Sequence, residues 1–127
     1  MIKINNKDYT KYDTKIIWGD FNVCSNGEKR TGIAPFIQFN IEDKIFIGLE
    51  FVYPKEMWED TKNCIKIDMK QYLTDITYED EKGWISLIVE EHNCYITKIE
   101  ENMFKIDLFV ESTLENIKIE LDVKVQF

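Results

Sequence analysis

From Phe104 onward, apolar and polar residues alternate strictly. Phe104, Ile106, Leu108 and Val110 share one parity, and Ile117, Ile119, Leu121, Val123, Val125 and Phe127 repeat it further on. Lys118, Glu120, Asp122, Lys124 and Gln126 fill the intervening positions. Successive side chains on a strand point to opposite faces, so these segments carry one apolar and one charged face. The pattern predicts a half-buried antiparallel hairpin closing an all-β domain.

The same period runs through most of the chain. Met1 to Ile4 reads as a short strand ended by Asn5-Asn6, and Lys7 to Thr14 as a polar connection anchored by Tyr9 and Tyr12. Thr14 to Cys24 reads as a strand whose parity changes at Gly19-Asp20: Ile16 and Trp18 lie on one face, Phe21 and Val23 on the other. Glycine at that point predicts a bulge. Ser25 to Gly32 reads as a loop with Asn26-Gly27 at its turn. Ile37, Phe39 and Ile41 then pair, across Glu42-Asp43-Lys44, with Ile45, Ile47, Leu49, Phe51 and Tyr53.

One or two short helices are expected in the 54–76 connection. One covers Pro54 to Asp60, where proline suits a first turn and the acids suit an N-terminus. The other follows Asp68, which stands three before Gln71 with Met69, Tyr72, Leu73 and Ile76 at helical intervals. Between them Cys64 to Ile67 reads as a strand. Beyond them Glu79 to Gly83 forms a turn, Ile85, Leu87 and Val89 a strand, Glu90 to Asn93 a second turn, and Tyr95, Thr97 and Ile99 another strand. Eight or nine strands, with turns every eight to twelve residues, predict an antiparallel β-sandwich or barrel in one domain spanning residues 1–127.

Composition strengthens the β reading. The chain holds 19 Ile and 8 Thr but one alanine and 6 Leu. Residues branched at Cβ suit strands, whereas Ala and Leu favour helices. Net charge is −8, which repels polyanions, and no basic stripe stands out, so no nucleic-acid partner is expected. No signal-peptide core or membrane-length apolar run is present. Cys24, Cys64 and Cys94 are three widely spaced thiols, a pattern that suits a reducing, cytoplasmic setting better than a disulfide framework.

Candidate chemistry is sparse. Glu90, His92 and Cys94 are spaced by two and would share a face in an extended strand, bringing carboxylate, imidazole and thiol together. A hairpin turn at Glu90 to Asn93 would separate them, so no catalytic triad is expected there. Zinc-ligand spacing, a calcium-loop motif and a phosphate-binding glycine loop are all missing. The expectation is a non-catalytic protein with no cofactor and no metal.

The aromatic residues offer a second handle. Most fall on the apolar parity of their strands, but Phe46, Trp84 and Phe109 do not, and Trp58 sits in a charged segment. Aromatics off the core parity and flanked by acids form either an interface patch or a second buried face. Phe46, Trp58, Trp84 and Phe109 are therefore the candidate binding residues. Three functions remain open. The first is an acidic interaction module, of an immunity or adaptor kind, for a basic protein partner. The others are a β-barrel carrier of an apolar ligand and a sugar-binding sandwich that stacks its ligand on Trp58 or Trp84.

Overall fold

In the computed structural model, which describes residues 1–25, 27–87 and 91–127, the alternation produces two antiparallel sheets packed face to face. The strands are β1 (Ile2–Ile4), β2 (Lys7–Tyr9), β3 (Tyr12–Ser25), β4 (Glu28–Ile41), β5 (Ile45–Phe51), β6 (Lys66–Asp68), β7 (Leu73–Asp80), β8 (Gly83–Ser86), β9 (Glu91–Glu100), β10 (Met103–Ser112) and β11 (Ile117–Gln126). One helix, α1 (Lys55–Asp60), lies between β5 and β6. The six-stranded sheet runs β2-β1-β11-β10-β9-β6 and the five-stranded sheet β3-β4-β5-β7-β8. The sheets do not close on each other, so the fold is a sandwich and not a barrel. Among the described residues no helix is long and apolar enough to cross a membrane.

The final hairpin forms as its parity requires. Phe104 pairs with Val125, Ile106 with Val123, Leu108 with Leu121 and Val110 with Ile119, all buried. Ile2 and Ile4 of β1 extend the same inward rows against Leu121 and Ile119. From the other sheet Ile37, Phe39, Ile41, Ile47, Leu49 and Ile76 complete the core. Turn chemistry sets the register of the β1-β2 and β4-β5 hairpins. Asn5-Asn6 has φ of 50° and 68°, and Glu42-Asp43 has 51° and 56°. Two successive positive φ angles define the tight turn whose twist matches that of paired strands.

Four expectations need correction. First, the helix after Asp68 does not form. The Asp68 carboxylate accepts the Lys70 N–H, and the N–H groups of Tyr72 and Leu73 both reach the Met69 carbonyl. That is a single turn, after which β7 pairs with β5 and β8. The apolar positions Ile76 and Tyr78 follow a period of two, and pairing on both edges outweighs one capping signal. Strand β7, together with the short β2, takes the number of strands above the expected eight or nine.

Second, β3 has no bulge. Its register with β4 is unbroken from Tyr12↔Ile41 to Ser25↔Glu28. The parity changes because the hairpin outruns the sandwich: β5 reaches along β4 only as far as Phe36. Beyond that point the inward face of β3 continues as exposed Asp20, Asn22 and Cys24, and the half-buried ring of Phe21 lies over Gly32 on the other face. A Cβ at Gly32 would stand 2.9 Å from that ring. Third, the expected loop from Ser25 to Gly32 is mostly this hairpin arm. Its turn residue Asn26 lies outside the described residues.

Fourth, no turn occupies Glu91 to Asn93, which begin β9; Glu90 lies outside the described residues, as do Ile88 and Val89. His92 pairs with Val110 and Cys94 with Leu108, so both side chains face inward. Burial, reinforced by the Asp68 and Asp107 charges, pushes the Cys94 thiol up to about 12. A nucleophilic cysteine needs the opposite shift. Cys24 and Cys64 are exposed. Native protein should therefore react with a thiol reagent at two sites, the third appearing only in denaturant; three fast thiols in the native state would contradict the burial of Cys94. Because the folded thiol is the weaker acid, this group's stabilisation is intact below its ordinary value of 9.0. It fades as pH rises toward about 12.

Candidate interaction face

The outward face of the five-stranded sheet is assembled from cross-strand rows. Asn40, Phe46, Glu79 and Trp84 lie side by side across β4, β5, β7 and β8. The next row holds Lys15, Gln38, Gly48, Thr77 and Ser86, and the one after it Ile17, Phe36, Glu50 and Asp75. Trp84 is 69% exposed and Ile17 42%, whereas Phe36 and Phe46 are half-buried.

Glycine decides how the phenylalanines lie. A Cβ at Gly48 would meet Phe36 at 2.7 Å and Phe46 at 3.1 Å, so the bare backbone lets both rings fold down onto the sheet. Their centroids are 6.4 Å apart with a tilt of 48°. Aromatic rings on a strand glycine restore packing that the glycine alone cannot supply.

Charge divides the two outer faces unequally. On the six-stranded sheet Lys105 meets Asp107 at 3.7 Å and Asp122 at 3.4 Å, Lys118 meets Glu120 at 4.0 Å and Lys3 meets Asp8 at 4.0 Å. These are all the ion pairs among the described residues. On the five-stranded sheet Glu50 and Glu79 have no such partner among the described residues. Asp75 instead accepts the hydroxyls of Thr77, at 3.0 Å, and Ser86. Four acids of the six-stranded face are thus held in ion pairs, although Glu91 and Glu111, side by side on it, are not; the five-stranded face presents its acids around aromatic rings.

The four candidate residues fall in three places. Phe46 and Trp84 share one row of the five-stranded sheet with Glu79 between them. Phe109 is on the opposite outer face, beside Asn93 and Glu120, with the Lys118 ammonium 5.8 Å from its ring. Trp58 is 1% exposed and belongs to the core, where its indole N–H donates to the Tyr53 carbonyl at 2.8 Å. Phe36 and Ile17 join the face without having been singled out. Phe36 shares parity with Gln38 and Asn40, the same signal that marks Phe46. Among the described residues no group of three or more His, Cys, Asp or Glu side chains is placed to hold a metal ion. No family model, curated protein or solved structure matches the chain.

Proposed function

We propose that the protein is a non-catalytic binding module that docks a basic protein partner on the outer face of its five-stranded sheet. The observation that carries this reading is the charge asymmetry. Carboxylates at Glu50, Asp75 and Glu79 surround Phe36, Phe46 and Trp84 outside any ion pair among the described residues, while Asp107, Glu120 and Asp122 on the opposite face are paired with lysines. Partner lysines or arginines would meet acids not held in ion pairs, and the exposed indole would supply the buried anchor. The filled core suits docking on a surface better than carriage inside a barrel. Exposed thiols at Cys24 and Cys64 suit a cytoplasmic setting.

A sugar-binding reading has its own support. Trp84 also borders a cleft of about 370 Å³ lined by Asn5, Asp80, Lys82 and Asn116, a polar wall beside a stacking ring. One affinity-capture experiment separates the two. Proteins retained by the native chain should be lost on the charge-reversed pair E50K/E79K and kept on K105E/K124E, which alters the other face. Equal retention on E50K/E79K rejects the docking reading. Loss on W84A alone, with the charge-reversed pair silent, favours the sugar.

A further inference from the structure

Where α1 covers one end of the sandwich, a cleft of about 250 Å³ opens between the sheets. Its walls come from distant parts of the chain: Trp18 from β3, Trp58 from α1, Phe104 from β10 and Phe127 just after β11. The rings brace one another, with centroids 5.6 Å apart for Trp18 and Phe127, 5.1 Å for Trp58 and Phe104, and 4.9 Å for Trp58 and Phe127. Edge-on and tilted contacts of this kind fix ring positions.

Two lysines complete the lining. The Lys55 ammonium stands 5.5 Å from the centroid of Trp18 and that of Lys98 6.0 Å from Phe104. Lys98 also donates to the Glu59 carbonyl at 3.1 Å. Neither ammonium takes part in an ion pair among the described residues, although the chain has 24 acids for 16 bases. Glu59 contributes to the lining but lies beyond ion-pair distance of both. Two ammonium groups outside any ion pair therefore face one cleft on a protein of net charge −8.

Size and charge together define a ligand class. An apolar cavity of about 150 Å³ holds benzene, so this cleft has room for one aromatic ring and a short tail. Two ammonium groups without an ion-pair partner among the described residues can hold one carboxylate between them. We propose that the cleft binds a small monocarboxylate bearing one aromatic ring. The ring stacks on the half-buried Trp18 and Phe127, and the carboxylate accepts hydrogen bonds from Lys55 and Lys98. The site is separate from the outer sheet face and does not depend on the docking reading.

The test is an NMR titration of the intact protein, following the three indole N–H signals. The probes are benzoate, phenylacetate, 3-phenylpropanoate and indole-3-acetate at millimolar concentrations. At least one should shift Trp18 and Trp58 while leaving Trp84 in place. Toluene and 2-phenylethylamine should bind at least about tenfold more weakly, since each lacks the charge-assisted hydrogen bonds. The exposed double variant K55Q/K98Q should lose about tenfold in affinity for the best probe, with its thermal melt unchanged, and W84A should bind normally. Silence from all four carboxylates overturns the proposal. So does equal binding of toluene or 2-phenylethylamine, or undiminished binding by K55Q/K98Q.

Discussion

Replacing Leu121 with Asp is expected to leave the chain unfolded at room temperature. Leu121 is 2% exposed and stands in an inward row formed by Ile2, Leu121, Leu108 and Cys94 across four strands. Deleting a buried leucine side chain costs about 2–5 kcal/mol. An unpaired carboxylate in its place adds several more, because the row offers it no cation. Domains of this size have about 5–15 kcal/mol in total, so the substitution removes most or all of it. The adjacent change Asp122→Asn is the control. Asp122 is on the solvent face, 3.4 Å from Lys105, and an exposed pair contributes at most about 1 kcal/mol. Far-ultraviolet circular dichroism and a thermal melt read both. A cooperative melt for Leu121→Asp within a few degrees of the parent would show that the final strand does not bury this face.

Trp58→Ala should be nearly as damaging, at about 3–5 kcal/mol. Although Trp58 comes from a helix of six residues, its ring is packed against Phe51, Tyr53, Phe104 and Phe127, with centroids between 4.9 and 5.5 Å away. Those partners span both sheets, so the indole joins the helix to each of them. Its N–H also satisfies the Tyr53 carbonyl. Trp58→Phe should fall between alanine and the parent: it keeps much of the ring contact but loses a buried hydrogen bond, worth about 1–3 kcal/mol when one partner is left unmet. Denaturant midpoints for the three proteins give the ranking. If alanine cost less than about 1 kcal/mol, the cavity left by the indole would have to collapse almost completely, contrary to a wall of rings held by two sheets.

The different fates of Leu121 and Trp58 show what the sequence discloses. Leu121 is legible because a strand repeats every two residues, and ten residues of alternation leave one choice of inward face. Trp58 is hidden because α1 has too few residues to display a period. Lys55, Glu56, Met57, Glu59 and Asp60 are exposed around it, so its neighbours describe the outside of the helix and say nothing of its inner face. At β7 a local signal, Asp68 before Gln71, competes with pairing to β5 and β8, and only the latter involves residues remote in sequence. At β3 the change of parity is real, but its cause is the length of β5, which β3 does not encode.

The same limit applies to the interaction face. Parity marks Phe46, Trp84 and Phe109 as pointing away from the core, and all three do. It cannot say which outer face each belongs to, because that depends on strand order. The order β5-β7-β8 puts Phe46 and Trp84 in one row, whereas Phe109 belongs to a strand of the other sheet.

Strand order also has a consequence for how the chain acquires its shape during synthesis. The five-stranded sheet is built from residues 12 to 86, and most of its neighbours follow one another along the chain. The six-stranded sheet closes late: β1 precedes the others but must wait for β11, its partner some 120 positions later, as Ile2 pairs with Leu121. On the ribosome the first sheet can therefore be complete while the inner surface formed by Ile37, Phe39, Ile47 and Leu49 is still bare. Sandwiches with such distant closing pairs fold slowly, and uncovered apolar faces invite aggregation in the interval. The last hairpin to be translated is also the lid on that surface, so truncation or stalling before β10 would release a half-sandwich with its hydrophobic side open to the cell.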